Sequence, residues 1–291
     1  MRSGRLPAEA ELRFLLATTL LDSDRFDAAV DMYRRALSLD PAGGYTLHNL
    51  GIALTRGERV DETLTILRRA ARLEPNHIAV RDALVLALEP RDPAEAALWS
   101  IESLALKQER TTTGVPTLPA VPVTPTYTPG ARTRNVVAFS LWGVREIYTQ
   151  GALANAREVP AVFPGWTCRF YHDDSVPRTI LEELARLGAE TVEMPAGSGS
   201  SHGLFWRFLA ADDPTVARFL CRDCDSRPTA REKAAVDAWI ASGLPFHVMR
   251  DHVLHTDLIL AGMWGGVAGL LPPLAPVTGP CQSWREVVWS I

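Results

Sequence analysis

The chain has 291 residues, 47% apolar and 22% charged, an ordinary soluble composition with room for two modest domains. A formal net charge of -4 and an isoelectric point near 6.0 argue against a general nucleic-acid or anionic-membrane surface. Four cysteines, only two of them close together, make no secreted disulfide framework. The opening MRSGRLPAEAELRFLL lacks the apolar stretch of a signal peptide, and no run is long enough to span a bilayer, so a cytoplasmic protein is expected.

Residues 1–107 read as paired helices. Pro41 and Pro75 lie 34 residues apart and close two similar blocks, AAVDMYRRALSLDP and ETLTILRRAARLEP. Ala29, Tyr33 and Ala36 in the first block match Thr63, Leu67 and Ala70 in the second. Leu50-Gly51 supplies a close helix–helix contact that only a small residue permits. A third, degenerate copy is expected from about His77 to Ser103, with Leu84, Leu88 and Ala97 in the equivalent places. This period and its small/large/small/Pro pattern resemble the tetratricopeptide repeat (TPR), in which stacked helical hairpins bury faces that one hairpin cannot bury alone. The resemblance implies a concave groove for a protein partner, a peptide or another copy of the chain.

Residues 108–134 change character: TTTGVPTLPAVPVTPTYTPGARTR places proline at every third or fourth position, which blocks helix and favours an extended linker. From Asn135 to the end, apolar runs and helical periods alternate. NVVAFSL, TCRFYHD, ETVEMP, VARFLCRD and PFHVMRD read as strands; YTQGALANAREV, RTILEELARLGA, GLFWRFLAAD and AREKAAVDAWIASG read as helices. Strict alternation implies a largely parallel sheet with helices on both faces, and such sheets bind ligands beyond the carboxyl ends of their strands.

One stretch, ARFLCRDCDSRP, carries two overlapping motifs at that edge. Cys221 and Cys224 form a C-x-x-C, suggestive of a zinc or redox site. Asp223 and Asp225 form a D-x-D, whose carboxylates two apart in extended chain face the same way and suit Mg²⁺ or Mn²⁺. Cys168 and Cys281 are remote, so a zinc set lacks further thiolates, and Cys221 alternates into the core. Cys224 points away between the two acidic ligands.

The ordered stretches FSLWG, GWTCRFYHDDS, WRF, RDCDSR, FHVMRDH and LAGMWGG resemble TPR-linked bacterial proteins bearing a GT-A-type, family-8-like glycosyltransferase domain. The resemblance covers about Asn135 to Leu271 and implies a fold class: an α/β nucleotide-diphospho-sugar transferase domain preceded by an all-α TPR domain. It further implies a metal-dependent transfer of sugar from a nucleotide-sugar, a UDP-sugar foremost, to a glycan or protein acceptor. On this reading Asp223 and Asp225 hold Mn²⁺ or Mg²⁺ on the donor diphosphate, and Arg207 contacts the donor. Ser140, Leu141 and Trp142, leaving the first strand, receive the nucleoside. Asp174, with Asp173, reaches base or ribose, or else starts a helix turn. Asp251 is the candidate general base, and His252, Trp264 and Gly265 lie toward the acceptor; Trp264 is alternatively a core residue, and His252 with His255 a further metal ligand or a solvated turn.

From Asn135 the chain has about 155 residues, short for that fold, and no histidine follows His255 to complete a metal site. The alternative is therefore a non-enzymatic TPR scaffold whose α/β domain is degenerate.

Overall fold

The computed structural model describes residues 5–112 and 135–271. The Pro/Thr-rich stretch from Thr113 and the segment from Pro272 lie outside the described residues. Two compact units emerge, one containing the N-terminal helices together with Asp251–Leu258, the other containing the sheet. No helix among the described residues is long and apolar enough to cross a membrane.

The helical unit comprises α1 (Arg5–Asp22), α2 (Phe26–Leu39), α3 (Gly44–Arg56), α4 (Val60–Leu73), α5 (Ile78–Leu88) and α6 (Pro93–Thr112). They form TPR-like hairpins, and α6 carries helix five residues into the stretch expected as linker. The repeat is visible in what is buried. Ala29, Val30, Tyr33, Ala36 and Leu37 of α2 correspond one for one, at a spacing of 34, to Thr63, Leu64, Leu67, Ala70 and Ala71 of α4. A Cβ on Gly51 would lie 2.4 Å from Leu67 Cδ2, so glycine sets how closely α3 and α4 approach. The hairpin turns repeat as well. Asp24 and Glu58 both take the left-handed conformation, with φ of 56° and 59°. The following Arg25 and Arg59 N–H groups donate back to Leu20 and Leu54 carbonyls at 2.9 and 2.8 Å, closing each helix in a Schellman-type end.

The third copy loses phase by one residue: Ala96, not Ala97, is the fully buried residue. The cause is local. Asp92 accepts from the Glu95 N–H at 2.9 Å and Pro93 opens the helix, fixing α6 one residue earlier than the period set by Val60 in α4.

Strands β1 (Asn135–Leu141), β2 (Thr167–His172), β3 (Glu190–Glu193), β4 (Arg218–Arg222), β5 (Phe246–Val248) and β6 (Trp264–Val267) form one sheet in the order β3-β2-β1-β4-β6-β5. β1 to β4 are parallel; β6 runs antiparallel between β4 and β5. Glycine makes that insertion possible, since a Cβ on Gly265 would lie 2.4 Å from the Phe219 carbonyl oxygen.

Alternation along the strands separates two apolar layers. Val137, Phe139, Leu141, Phe170 and Leu220 pack with α7 (Glu146–Val162), α8 (Arg178–Arg186) and α10 (Ala230–Ser242). Val136, Ala138, Tyr171, Phe219 and Cys221 pack with Trp206, Phe208, Ala210 and Trp264. The second layer rests on a short α9 (Gly199–His202) and a 3-10 segment, Gly203–Ala211, where the sequence suggested an ordinary α-helix. The sheet order reverses between β1 and β4, because β2 and β3 continue to one side of β1 and β4 opens the other. In open α/β sheets this is where the crevice forms.

Candidate functional site at the β1–β4 edge

Beyond the carboxyl ends of β1 and β4 lies a cavity of about 340 Å³ lined by Ser140, Trp142, Tyr148, Leu204, Arg207, Asp223, Cys224 and Asp225. Five of the positions singled out in the sequence, Ser140, Trp142, Arg207, Asp223 and Asp225, thus meet in one space. The chain reaches them by a turn, not by extended backbone: the Ser226 N–H donates to the Asp223 carbonyl at 3.2 Å. Asp223 is half-exposed and Asp225 is exposed, so both carboxylates reach the cavity although the alternation of a strand has ended.

The turn is anchored from beneath by Cys224. Its thiol contacts the Ser140 carbonyl oxygen at 3.2 Å, and its own carbonyl accepts from Asn155 Nδ2 at 3.1 Å and Arg227 Nη1 at 2.9 Å. A Cβ on Gly151 would fall 2.1 Å from that carbonyl oxygen, so α7 must present glycine there. Burial pushes the Cys224 thiol up and the Cys221 thiol up to about 12, which keeps both protonated. The two belong to opposite apolar layers, Cys221 with Trp264 and Cys224 with Phe139. A C-x-x-C pair divided by the sheet cannot share a metal or a disulfide.

Arg207 is the central cation. Buried at 3% exposure, it ion-pairs through Nη1 with Asp223, and the same nitrogen donates to the Arg222 carbonyl at 2.9 Å. Its backbone N–H donates to Ser140 Oγ at 3.0 Å, which ties the 3-10 segment to the end of β1. Its Nε is buried without a hydrogen-bond partner. Trp142 lies across a glycine shelf, where Cβ atoms on Gly199 and Gly203 would come within 2.4 and 2.5 Å of its atoms. Gly262 is equally constrained: a Cβ there would lie 1.9 Å from Asp223 Oδ2.

A second buried ion pair fixes β4 before it reaches the turn. Arg222 Nε bonds Glu232 Oε1 at 2.7 Å, both side chains being under a tenth exposed. Glu232 simultaneously closes the capping box of α10: its Oε2 accepts from the Thr229 N–H at 3.0 Å, and its own N–H donates to Thr229 Oγ1 at 3.2 Å.

Other expected site residues lie elsewhere. Leu141 is a fully buried member of the first layer and does not line the cavity. Asp174 accepts from the Gly197 N–H at 2.8 Å, and Asp173 accepts from the Ser175 N–H at 3.1 Å, the Ser175 hydroxyl and the Gly199 N–H at 2.8 Å. For Asp173 burial pushes the carboxyl up, but these hydrogen bonds outweigh it and hold the group below its usual range. Both aspartates organise loops, and neither lines the cavity. Trp264 and Gly265 belong to β6. The Trp264 ring meets Phe219 and Phe208 edge-on at 5.1 and 5.5 Å, the core packing that was its alternative reading.

Asp251 and His252 fall in the helical unit. Asp251 lies 2.9 Å from His255 Nδ1, and His252 Nε2 lies 3.4 Å from the Glu89 carboxylate. Lys107 Nζ donates to the Thr256 carbonyl at 2.8 Å and pairs with Asp82 at 2.9 Å. Val253 packs on the helical core. Among the described residues no three His, Cys, Asp or Glu side chains converge as a metal-binding group. The sequence reading missed Tyr148, Leu204 and Gly262. The glycine of LAGMW was the one signal available for the last.

No protein-family model matches this chain, and no curated protein matches it. Solved structures similar to parts of it include the first TPR of Spaghetti bound to an HSP90 peptide, at 17% identity and TM-score 0.34, covering 35% of this chain and 81% of that one. The TPR domain of Sgt2 from Aspergillus fumigatus aligns at 18% identity and TM-score 0.33, covering 41% of this chain and 91% of that one. An O-GlcNAc transferase from Thermobaculum terrenum aligns at 21% identity and TM-score 0.37. That alignment covers 65% of this chain but 35% of the transferase, so this chain spans about a third of its length.

Proposed function

We propose that the chain is a metal-dependent glycosyltransferase of the GT-A type that uses a nucleotide-sugar, with UDP-sugars the first candidates, and that its helical unit recruits a protein or glycan-bearing partner. The observation that carries this is the convergence of Ser140, Trp142, Arg207, Asp223 and Asp225 on one cavity at the switch point of the sheet. Two carboxylates are a donor set that Mg²⁺ or Mn²⁺ accepts when phosphate and water complete its shell. A cation held by Asp223 and Asp225 would neutralise charge on a departing diphosphate. The protein's own contribution is positional. Arg207, anchored by the Arg222 carbonyl and Ser140, presents a buried positive charge at the cavity wall. Trp142 and Tyr148 offer ring surface for a flat group, and the glycine shelf fixes the Trp142 plane. No general base is assigned.

Thermal unfolding with UDP-, GDP- and CDP-sugars, each with and without Mn²⁺, tests the reading. One donor should raise the midpoint only when Mn²⁺ is present, by several degrees at a concentration about a hundredfold over its Kd. Asp225→Asn should abolish that shift while leaving the unliganded midpoint within about 1 °C, since the side chain is exposed. A second reading, a TPR scaffold with an inactive α/β domain, is favoured by the convergence, among the described residues, of two carboxylates without a third metal-ligating side chain. No shift with any donor, or an equal shift in Asp225→Asn, would select it.

A further inference from the structure

We propose that Arg207 competes with the divalent cation for Asp223, so that the cation binds well only when phosphate oxygens take over the guanidinium. The inference rests on the metal–diphosphate reading above and adds a rule for the order in which the site fills.

Three observations carry it. First, the cavity already contains a cation at the acidic pair: the Arg207 guanidinium is in direct contact with Asp223. A metal approaching the same carboxylate meets a like charge at contact range, where Coulomb repulsion in a partly dry site far exceeds its value in water. Second, Arg207 cannot relax into solvent. It is 3% exposed, its backbone is pinned to Ser140 Oγ, and Nη1 is also held by the Arg222 carbonyl. Stripping Asp223 from it would leave a buried charge without its partner, which is strongly unfavourable unless another anion substitutes. Third, Arg207 lines the cavity that an anion would enter. Arg207 Nε is buried without a partner, so the guanidinium retains donor capacity. Phosphate oxygens are acceptors matched to such a fork, and their charge-assisted bonds exceed ordinary ones.

Asp225 lines the cavity and is exposed, so it gives the cation a first foothold, while Asp223 is released to it only by exchange. Gly262 packs against the opposite side of the Asp223 carboxylate, which limits how far that side chain can swing to escape the guanidinium. The consequence is coupling: cation and diphosphate each raise the other's affinity by the same factor. Metal bridging alone also yields coupling, but it does not predict that removing Arg207 improves metal binding in the absence of nucleotide.

The experiment is a Mn²⁺ titration followed by the electron paramagnetic resonance signal of the free ion, on the full chain and on Arg207→Met, each with and without UDP. Arg207→Met should bind Mn²⁺ alone at least tenfold more tightly than the unaltered protein, and UDP should enhance its Mn²⁺ affinity less. Equal or weaker Mn²⁺ binding by Arg207→Met, alongside Mn²⁺-dependent UDP binding by the unaltered protein, overturns this inference and leaves the proposed function standing. Absence of Mn²⁺ binding in both proteins, with UDP present, overturns both. Because Arg207 is buried, a second measurement uses the unaltered protein. Its ¹⁵N-labelled Arg207 Nε resonance should move with Mg²⁺ plus UDP and stay in place with Mg²⁺ alone. An equal movement with saturating Mg²⁺ alone shows that the cation displaces the guanidinium unaided, and the competition fails.

Discussion

The helical unit and the sheet unit are stabilised in different ways. In the helical unit one arrangement is used repeatedly: each buried position of α2 has a counterpart 34 residues on in α4, and most of these positions are apolar. In the sheet unit the buried residues include Asn135, Ser140, Arg169, Asp173, Arg207, Arg222, Glu232 and His247. Repetition spreads stability over equivalent contacts, whereas a polar node has no second copy. Buried charges such as Arg207 and the Arg222–Glu232 pair are held at a cost that apolar packing would avoid.

The sharpest way to break this contrast is at Glu232. Its carboxylate serves both Arg222 and the start of α10, so Glu232→Ala strands a buried guanidinium and removes a cap. The expected loss is about 3–5 kcal/mol from the broken pair. Urea unfolding followed by tryptophan fluorescence measures it, since Trp142, Trp166, Trp206, Trp239 and Trp264 all lie in the sheet unit. A loss under about 1 kcal/mol would mean that the node is dispensable and the contrast overstated.

The same contrast explains what could be read from the sequence. The repeat was legible because it states itself twice, and even its failure at Ala97 has a local cause in Asp92-Pro93. The strands were legible from alternation, and so was the assignment of Cys221 to the core. Ser140, Trp142 and Asp223 lie near strand ends, where a reading of topology looks for a site, whereas Arg207, on the 3-10 segment, came from the family resemblance. What escaped were relations between distant residues: the Arg207–Asp223 pair, the role of Glu232 under Arg222, and the Gly262 contact. No local period encodes such pairings. Asp251 and His252 were read from their place in the chain after β5, and no local period signalled that their segment groups with the helical unit, on whose core Val253 packs.

His247 gives the next test, through pH. Burial, and then the positive charge of Arg222, pull its pKa down to about 4, and the ring stacks on Trp239 at 5.7 Å. An unfolded chain returns it to about 6.5. Between those values the unfolded state holds a proton that the folded state refuses, so stability falls as pH falls from about 6.5 toward 4. The slope contributed is up to about 1.4 kcal/mol per pH unit, roughly 2–3 kcal/mol over the whole window. His247→Phe keeps a ring against Trp239 and cannot titrate, so its stability between pH 7 and 4.5 should decline less steeply by that amount. Parallel pH profiles for the two proteins would remove this node from the list.

The smallest effect belongs to the helical unit and tests whether its repetition is complete. Asp24 and Glu58 occupy equivalent left-handed turns, but they differ in how well they tolerate that backbone. Aspartate visits the left-handed region comparatively often because its short side chain can bond locally; glutamate does not. Gly57, immediately before, has a φ of -85° and so does not use the freedom glycine offers. Glu58→Gly should therefore stabilise the chain by about 0.5–1 kcal/mol, the relief of the Cβ clash exceeding the extra entropy of the unfolded glycine. Asp24→Gly should gain less, or nothing. Equal gains at both turns, read from urea midpoints, would mean that the two copies carry the same strain and that side-chain type is irrelevant to it. Unequal gains would show that even the repeated unit has diverged where its turns, unlike its buried face, are free of packing constraint.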